Sequence, residues 1–199
     1  MITEVVRYSS TATAPILVNG GLANGALTHA DRSFVFVDAN DLDGIDYVRT
    51  AVDDKNNVNV EHDVTVDKAG TLFLLIDNRV GDGIATDPPT IGSGIMDWAD
   101  TAGFVQTGYT VGVFNPGDSS TVTMTAFALD LAGAGMTTLY PQADGTSRLT
   151  YLIAAIPAGW NLPPSVMGVP ASAQVEPGGT LEIDATITDY GEDTSTTVL

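Results

Sequence analysis

Short stretches of alternating apolar and polar residues recur along the chain, separated by clusters of glycine, proline, asparagine and aspartate. In the stretch 121–131, threonine occupies positions 121, 123 and 125, while apolar residues occupy positions 122, 124 and 126. Successive side chains of a strand point to opposite faces, so this period of two predicts a half-buried strand. Together with the other strand-like runs that these clusters separate, it gives predicted strands over 2–8, 16–18, 33–38, 46–52, 58–66, 71–77, 104–114, 121–131 and 148–156.

The stretch 71–77 differs from the others because it is apolar at consecutive positions. Such a run indicates a central strand that is buried on both faces. About nine short strands with frequent turns are typical of a β-sandwich. We therefore predict an all-β fold, an antiparallel sandwich of jelly-roll type, with one short helix within 94–102. The long loop 80–97 has no strand pattern, and loops of this length are often functional.

The pattern changes at Pro163 and Pro164, which predict a stiff linker. We accordingly place one sandwich module in residues 1–162 and a short β tail in residues 163–199. The tail has two predicted strands, 173–176 and 180–189, and two strands alone are marginally stable. It is therefore the start of an incomplete domain, or packs on the sandwich, or adds its strands to another copy through residues 173–189.

The composition is strongly acidic, with 25 acidic against 7 basic side chains and a net charge of −18. Nucleic-acid binding needs clustered lysine and arginine, so this charge excludes it. No apolar stretch reaches the ~18 residues of a membrane span. The absence of cysteine excludes disulfides and thiol chemistry. Acidity without cysteine favours an extracellular or cell-surface location, although acidity that only maintains solubility is the alternative.

Several motifs within 15–113 occur in an order that is familiar: GGLANGA at 20–26, LDGIDYVRTA at 42–51, DNR at 77–79 and FVQTG at 104–108. This order resembles a β-sandwich accessory module of large secreted bacterial proteins, which often accompanies polysaccharide-degrading enzymes. Where that pattern has Pro-x-Trp-Leu, this chain has Met96-Asp97-Trp98-Ala99. Residues 163–189 are similar to the opening of an immunoglobulin-like repeat. The resemblance implies association with carbohydrate, and it implies no particular ligand residues.

Most of the basic residues lie between positions 32 and 79, each close to an aspartate in the sequence. A polar cluster of this kind can bind a sugar or a uronate, since arginine forms bidentate hydrogen bonds with carboxylates. The candidates are Arg32, Asp54, Lys55, Asp77 and Arg79. The alternative is that these residues form ion pairs that only fix the ends of strands.

Aromatic rings stack on the apolar faces of sugars, which makes Trp98 and Tyr109 the aromatic candidates for a glycan site. Trp98 follows the long loop in a polar segment, which favours exposure, and a tryptophan that plugs the core is the alternative. We expect a glycan to be held by such stacking together with polar loop contacts.

An oxygen-rich loop supplies a candidate calcium site at Asp38, Asn40, Asp41 and Asp43. Calcium takes six to eight oxygen ligands, which aspartate, asparagine and backbone carbonyls provide. The spacing is not that of an EF-hand, because Ala39 stands where an acid is needed. An aspartate-rich turn without metal is the alternative.

Catalytic motifs are absent from the sequence: there is no P-loop, nucleophile elbow or histidine pair with metal-ligand spacing. We therefore expect a non-catalytic, extracellular carbohydrate-binding or accessory module whose partner is a polysaccharide or glycan. The alternative is a structural subunit of an extracellular filament or surface layer, assembled by strand addition through the tail.

Overall fold

The computed structural model describes residues 1–92, 94–144 and 148–162, together with the backbone of 165–167 and 186–188. Ten strands form the main body: β1 (Ile2–Tyr8), β2 (Ile16–Val18), β3 (Val35–Val37), β4 (Asp46–Arg49), β5 (Glu61–Val66), β6 (Gly70–Asp77), β7 (Val105–Asn115), β8 (Ser120–Leu131), β9 (Gly135–Leu139) and β10 (Leu152–Pro157). Helical segments are short, namely two 3₁₀ helices (Asn40–Leu42 and Val52–Asn56) and α1 (Asp97–Ala102). None of the described helices could cross a membrane.

Two antiparallel sheets make up this body, which confirms the predicted all-β sandwich. One sheet has the order β1-β5-β9, and the other has the order β2-β4-β10-β6-β8-β7-β3. Strand β6 lies between β10 and β8, with Leu74 opposite Ile153 on one side and opposite Phe127 on the other. The prediction of a central strand at 71–77 is therefore confirmed.

The consecutive apolar residues of β6 serve two separate cores. Leu72, Leu74 and Ile76 pack into the core that also contains Val64 of β5 and Leu139 of β9. Phe73 and Leu75 face the opposite side, where they join a core closed by the chain segment 22–45. Because both faces are covered, β6 is apolar from Leu72 to Ile76, and the hydroxyl of the buried Thr71 before them donates to Asp130 Oδ1 at 3.1 Å.

Several predicted boundaries differ from the structure, each for a local reason. The strand predicted over 46–52 ends at Arg49, because the chain turns into the 3₁₀ helix Val52–Asn56. The helix expected within 94–102 is only Asp97–Ala102. Strand β9 was not among the predicted strands, since it begins at Gly135 after an Ala-Gly-Ala run and Met136 on its exposed face hides the alternation.

In the tail, β11 (Ser165–Met167) pairs antiparallel with β12 (Thr186–Thr188) of the same chain. Part of the strand predicted over 180–189 thus pairs within its own chain. The rest of the proposed strand-donating segment, 173–185 and 189, lies outside the described residues.

Candidate functional site

The residues predicted to bind a ligand lie in separate regions of the sandwich. Arg32, Asp54 and Lys55 lie at or beside the 3₁₀ helix Val52–Asn56, whereas Asp77 and Arg79 lie at the end of β6. Trp98 belongs to α1 and Tyr109 to β7. The predicted set therefore does not form one site, and each region has to be considered by itself.

The first region borders an open groove of about 690 Å³ between the loop after β1 and the 3₁₀ helix. Asp54 lines it but is only 3% exposed, and its carboxylate accepts hydrogen bonds from Ser10 and from Arg7 Nη1, the latter at 2.8 Å. Asp54 therefore pairs with Arg7 rather than with its neighbour Lys55. Its oxygens are already engaged, which favours a structural role for this carboxylate.

Arg32 is likewise engaged in ion pairs around the same helix. Its guanidinium donates to Asp53, and Nη1 lies 3.2 Å from an oxygen of Asp31. Asp31 in turn accepts hydrogen bonds from the backbone N–H groups of Val52 and Asp53 at 2.9 and 3.0 Å. These contacts fix the first turn of the 3₁₀ helix, so the alternative of ion pairs at strand ends describes this region well.

The second region is a pocket of about 140 Å³, which we call the Arg79 pocket. It is lined by Phe34, Arg79, Val113, Asn115, Asp118, Ser120, Val122 and Leu149. Strands β7 and β8 and the turn between them supply most of its wall: β7 ends at Asn115, β8 begins at Ser120, and the turn carries Asp118. Val113 and Val122 are directly opposite each other on these strands and provide its apolar side.

Arg79 is held in this pocket by the buried carboxylate of Asp77. Asp77 Oδ1 accepts hydrogen bonds from the backbone N and from Nε of Arg79 at 3.0 and 2.9 Å, and Oδ2 accepts one from Nη2 at 2.6 Å. Leu149 N donates a fourth hydrogen bond to Oδ2 at 2.8 Å. The hydrogen bonds to Asp77 raise the pKa of the Arg79 guanidinium above its usual value. The predicted pairing of Asp77 with Arg79 is thus confirmed.

One end of the Arg79 guanidinium remains available. The Nη1 group has no hydrogen-bond partner within the described part of the chain, and the side chain is 27% exposed. Because Asp77 already fixes the Arg79 side chain, the remaining donors of Arg79 can bind a ligand with little further loss of side-chain conformational entropy. The Arg79 pocket is therefore a preformed arrangement of a donor, a carboxylate at Asp118 and an aromatic ring at Phe34.

Asp118 provides a charged acceptor at the rim of the pocket. Its Oδ1 accepts hydrogen bonds from the backbone N and the hydroxyl of Ser120 at 3.0 and 2.6 Å. These bonds lower the pKa of Asp118, so its carboxylate is ionised at neutral pH. Phe34, Asn115, Asp118 and Ser120 were not among the predicted site residues. The signal in the sequence for Asn115, Asp118 and Ser120 is the turn-forming run NPGDSS at 115–120, and Phe34 was placed only in a predicted strand.

The two aromatic candidates pack on the interior. Trp98 is half-buried; its Nε1 donates to Pro141 O at 2.9 Å, and its ring lies edge-on to Phe104 and Tyr140. Tyr109 is only 2% exposed and packs edge-on against Phe73 in the core. A bound glycan cannot reach the Tyr109 ring in this structure, and Trp98 has the contacts of a core plug.

The calcium loop has exposed carboxylates at Asp38, Asp41 and Asp43. The side chain of Asn40 lies outside the described residues. Among the residues that the structure describes, no group of three or more histidine, cysteine, aspartate or glutamate side chains could hold a metal ion. Calcium binding through this loop stays a prediction.

Comparison with known proteins gives one structural likeness. No protein-family model matches the chain, and no curated protein matches it. Among solved structures, a beta-glucuronidase from glycoside hydrolase family 2 matches with a TM-score of 0.56 and 15% sequence identity. The match covers 76% of this chain and 14% of that chain. At this identity the likeness shows a shared fold, and it relates the sandwich to a small part of the larger enzyme.

Proposed function

We propose that this chain is a non-catalytic carbohydrate-binding or accessory module that acts outside the cell or at its surface, and that the Arg79 pocket holds a sugar ring. The observation that carries the proposal is the composition of this pocket, where Arg79, Asp118 and Phe34 meet. Such a combination can recognise a sugar through hydrogen bonds in the plane of the sugar ring and stacking on its apolar face.

Two further observations support the proposal. The sandwich shares its fold with part of a beta-glucuronidase, an enzyme that acts on carbohydrate. In addition, β12 of the tail pairs with β11 of its own chain, which is the arrangement expected of a module rather than of a strand-donating filament subunit. The small volume of about 140 Å³ suits one sugar ring, such as the end of a chain.

Affinity gel electrophoresis against a panel of neutral and acidic polysaccharides tests the proposal, followed by isothermal titration with oligosaccharides of any polysaccharide that retards the protein. We expect Phe34→Ala to weaken binding by roughly tenfold, because a stacked aromatic contributes about 1 kcal/mol beyond its buried area. Phe114→Ala is the matched control, since Phe114 is also half-buried but does not line the pocket.

The outcomes separate the proposal from its competitors. Absence of retardation by every polysaccharide would overturn carbohydrate binding. Equal losses in Phe34→Ala and Phe114→Ala would place the binding site elsewhere on the sandwich. Release of reducing sugar from a retarding polysaccharide would show that the module is catalytic, contrary to the proposal.

A further inference from the structure

The charges around the Arg79 pocket do not favour an anionic ligand. Among the residues that the structure describes, Arg79 is the one basic residue that lines the pocket, and the buried carboxylate of Asp77 already neutralises it. Asp118 adds a negative charge at the rim. The pocket as a whole therefore has a net negative charge, in a chain whose net charge is −18.

The hydrogen-bond geometry of Arg79 leaves donors for a neutral ligand. One edge of the guanidinium, formed by Nε and Nη2, is occupied by Asp77 at 2.9 and 2.6 Å. A guanidinium has five N–H donors, so Nη1 and the second N–H of Nη2 remain, among the described residues, for oxygens of a ligand. Sugar hydroxyls accept such hydrogen bonds, and the negative charge of the pocket, rather than a lack of donors, disfavours a carboxylate.

We propose that the Arg79 pocket selects a neutral sugar ring and discriminates against the corresponding uronate; this inference rests on the proposed function. Arg79 Nη1 donates to one ring hydroxyl, and the Asp118 carboxylate accepts from another. The apolar face of the ring lies against Phe34. The C6 hydroxyl of a neutral hexose can donate to Asp118 as well as accept, whereas the C6 carboxylate of a uronate can only accept.

A uronate would add a carboxylate to a site that already contains Asp118. Two like charges close together at a protein surface repel each other, and this repulsion lowers the affinity for the uronate. Salt screens charges at exposed positions, and Asp118 is exposed. The discrimination should therefore decrease as the salt concentration rises, while binding of the neutral sugar stays unchanged.

Matched ligands test the inference. The methyl β-glycosides of glucose, galactose and mannose are each compared with the glycoside of the matching uronic acid, using isothermal titration or amide chemical shifts at low salt. Each pair differs only in the group at C6. We expect the neutral member of the binding pair to bind several-fold more tightly, and Asp118→Asn to remove most of this difference.

Asp100→Asn is the control for net charge, because Asp100 is an exposed aspartate of α1 that does not line the pocket. It should leave the discrimination unchanged. A uronate that binds as tightly as its neutral partner, or retardation by acidic polysaccharides alone, would overturn the inference and leave carbohydrate binding intact. A discrimination that Asp118→Asn and Asp100→Asn reduce equally would overturn the role of Asp118. Failure of all polysaccharides and glycosides to bind would instead overturn the proposed function.

Discussion

The carboxylate of Asp77 is the structural anchor of the candidate site, and its removal gives a quantitative prediction. In Asp77→Ala the buried N–H of Leu149 loses its acceptor, which costs about 1–3 kcal/mol. The guanidinium of Arg79 loses two hydrogen bonds but is 27% exposed and regains water, so this part adds about 1 kcal/mol. We expect a total loss of about 3 kcal/mol in the free energy of unfolding.

Thermal and urea unfolding followed by circular dichroism measure this loss. For a chain of this length, about 3 kcal/mol corresponds to a decrease of roughly 6–12 °C in Tm. Asp77→Asn keeps the volume of the side chain but loses charge and one acceptor, so a similar decrease would exclude a simple cavity effect. Asp100→Ala, at an exposed position, should change stability by less than about 0.5 kcal/mol. If Asp77→Ala were as mild as this control, the anchoring role would be refuted.

Three other measurements test the packing. Burial lowers the pKa of His62 from 6.5 to about 4, so the unfolded state binds a proton at a higher pH than the folded state does. As the pH falls from 6.5 to 4, this difference lowers the free energy of unfolding by about 3 kcal/mol. In urea titrations at several pH values, His62→Leu should lose that part of the pH dependence. Gly70→Ala should lower the free energy of unfolding by about 1–3 kcal/mol, because a Cβ at this position would lie 2.1 Å from Ile156 O. In the same titrations Gly135→Ala should be neutral, because a Cβ there would meet no atom. Trp98→Ala should lower Tm by several degrees and leave glycan affinity unchanged, and the reverse result would restore Trp98 as a stacking platform.

Short-range patterns in the sequence predicted most of the fold, but they did not predict which side chains meet at the candidate site. Short strand-forming runs located β1 and β2 at their observed bounds, because Ser9 follows the first run and Pro15 and Asn19 flank the second. The pairing of Asp77 with Arg79 was also visible, since the two residues are neighbours at one strand end. By contrast, Asp54 pairs with Arg7, which is 47 positions away and cannot be inferred from local spacing.

The burial of the aromatic candidates shows the same limit. An aromatic ring in a strand can face solvent or core, and the residue type does not decide between them. Tyr109 faces Phe73 because β7 places it in the closed core, and Trp98 is enclosed by Phe104 and Tyr140. The sequence pattern placed Phe34 in a predicted strand without a role in a site. The pairing of β3 with β7 brings it to the Arg79 pocket.

The amino-acid sequence by itself determined the all-β class, the doubly buried central strand and the strongly acidic surface, because periodicity and charge are properties of neighbouring residues and of composition. The tertiary structure alone decided which side chains share a site. Phe34, Arg79 and Asp118 come from three distant parts of the chain, and they meet because β3, β7 and β8 are adjacent in the seven-stranded sheet. The order of the strands depends on the packing of both hydrophobic cores. That packing involves residues far apart in the sequence, so no local pattern predicts it.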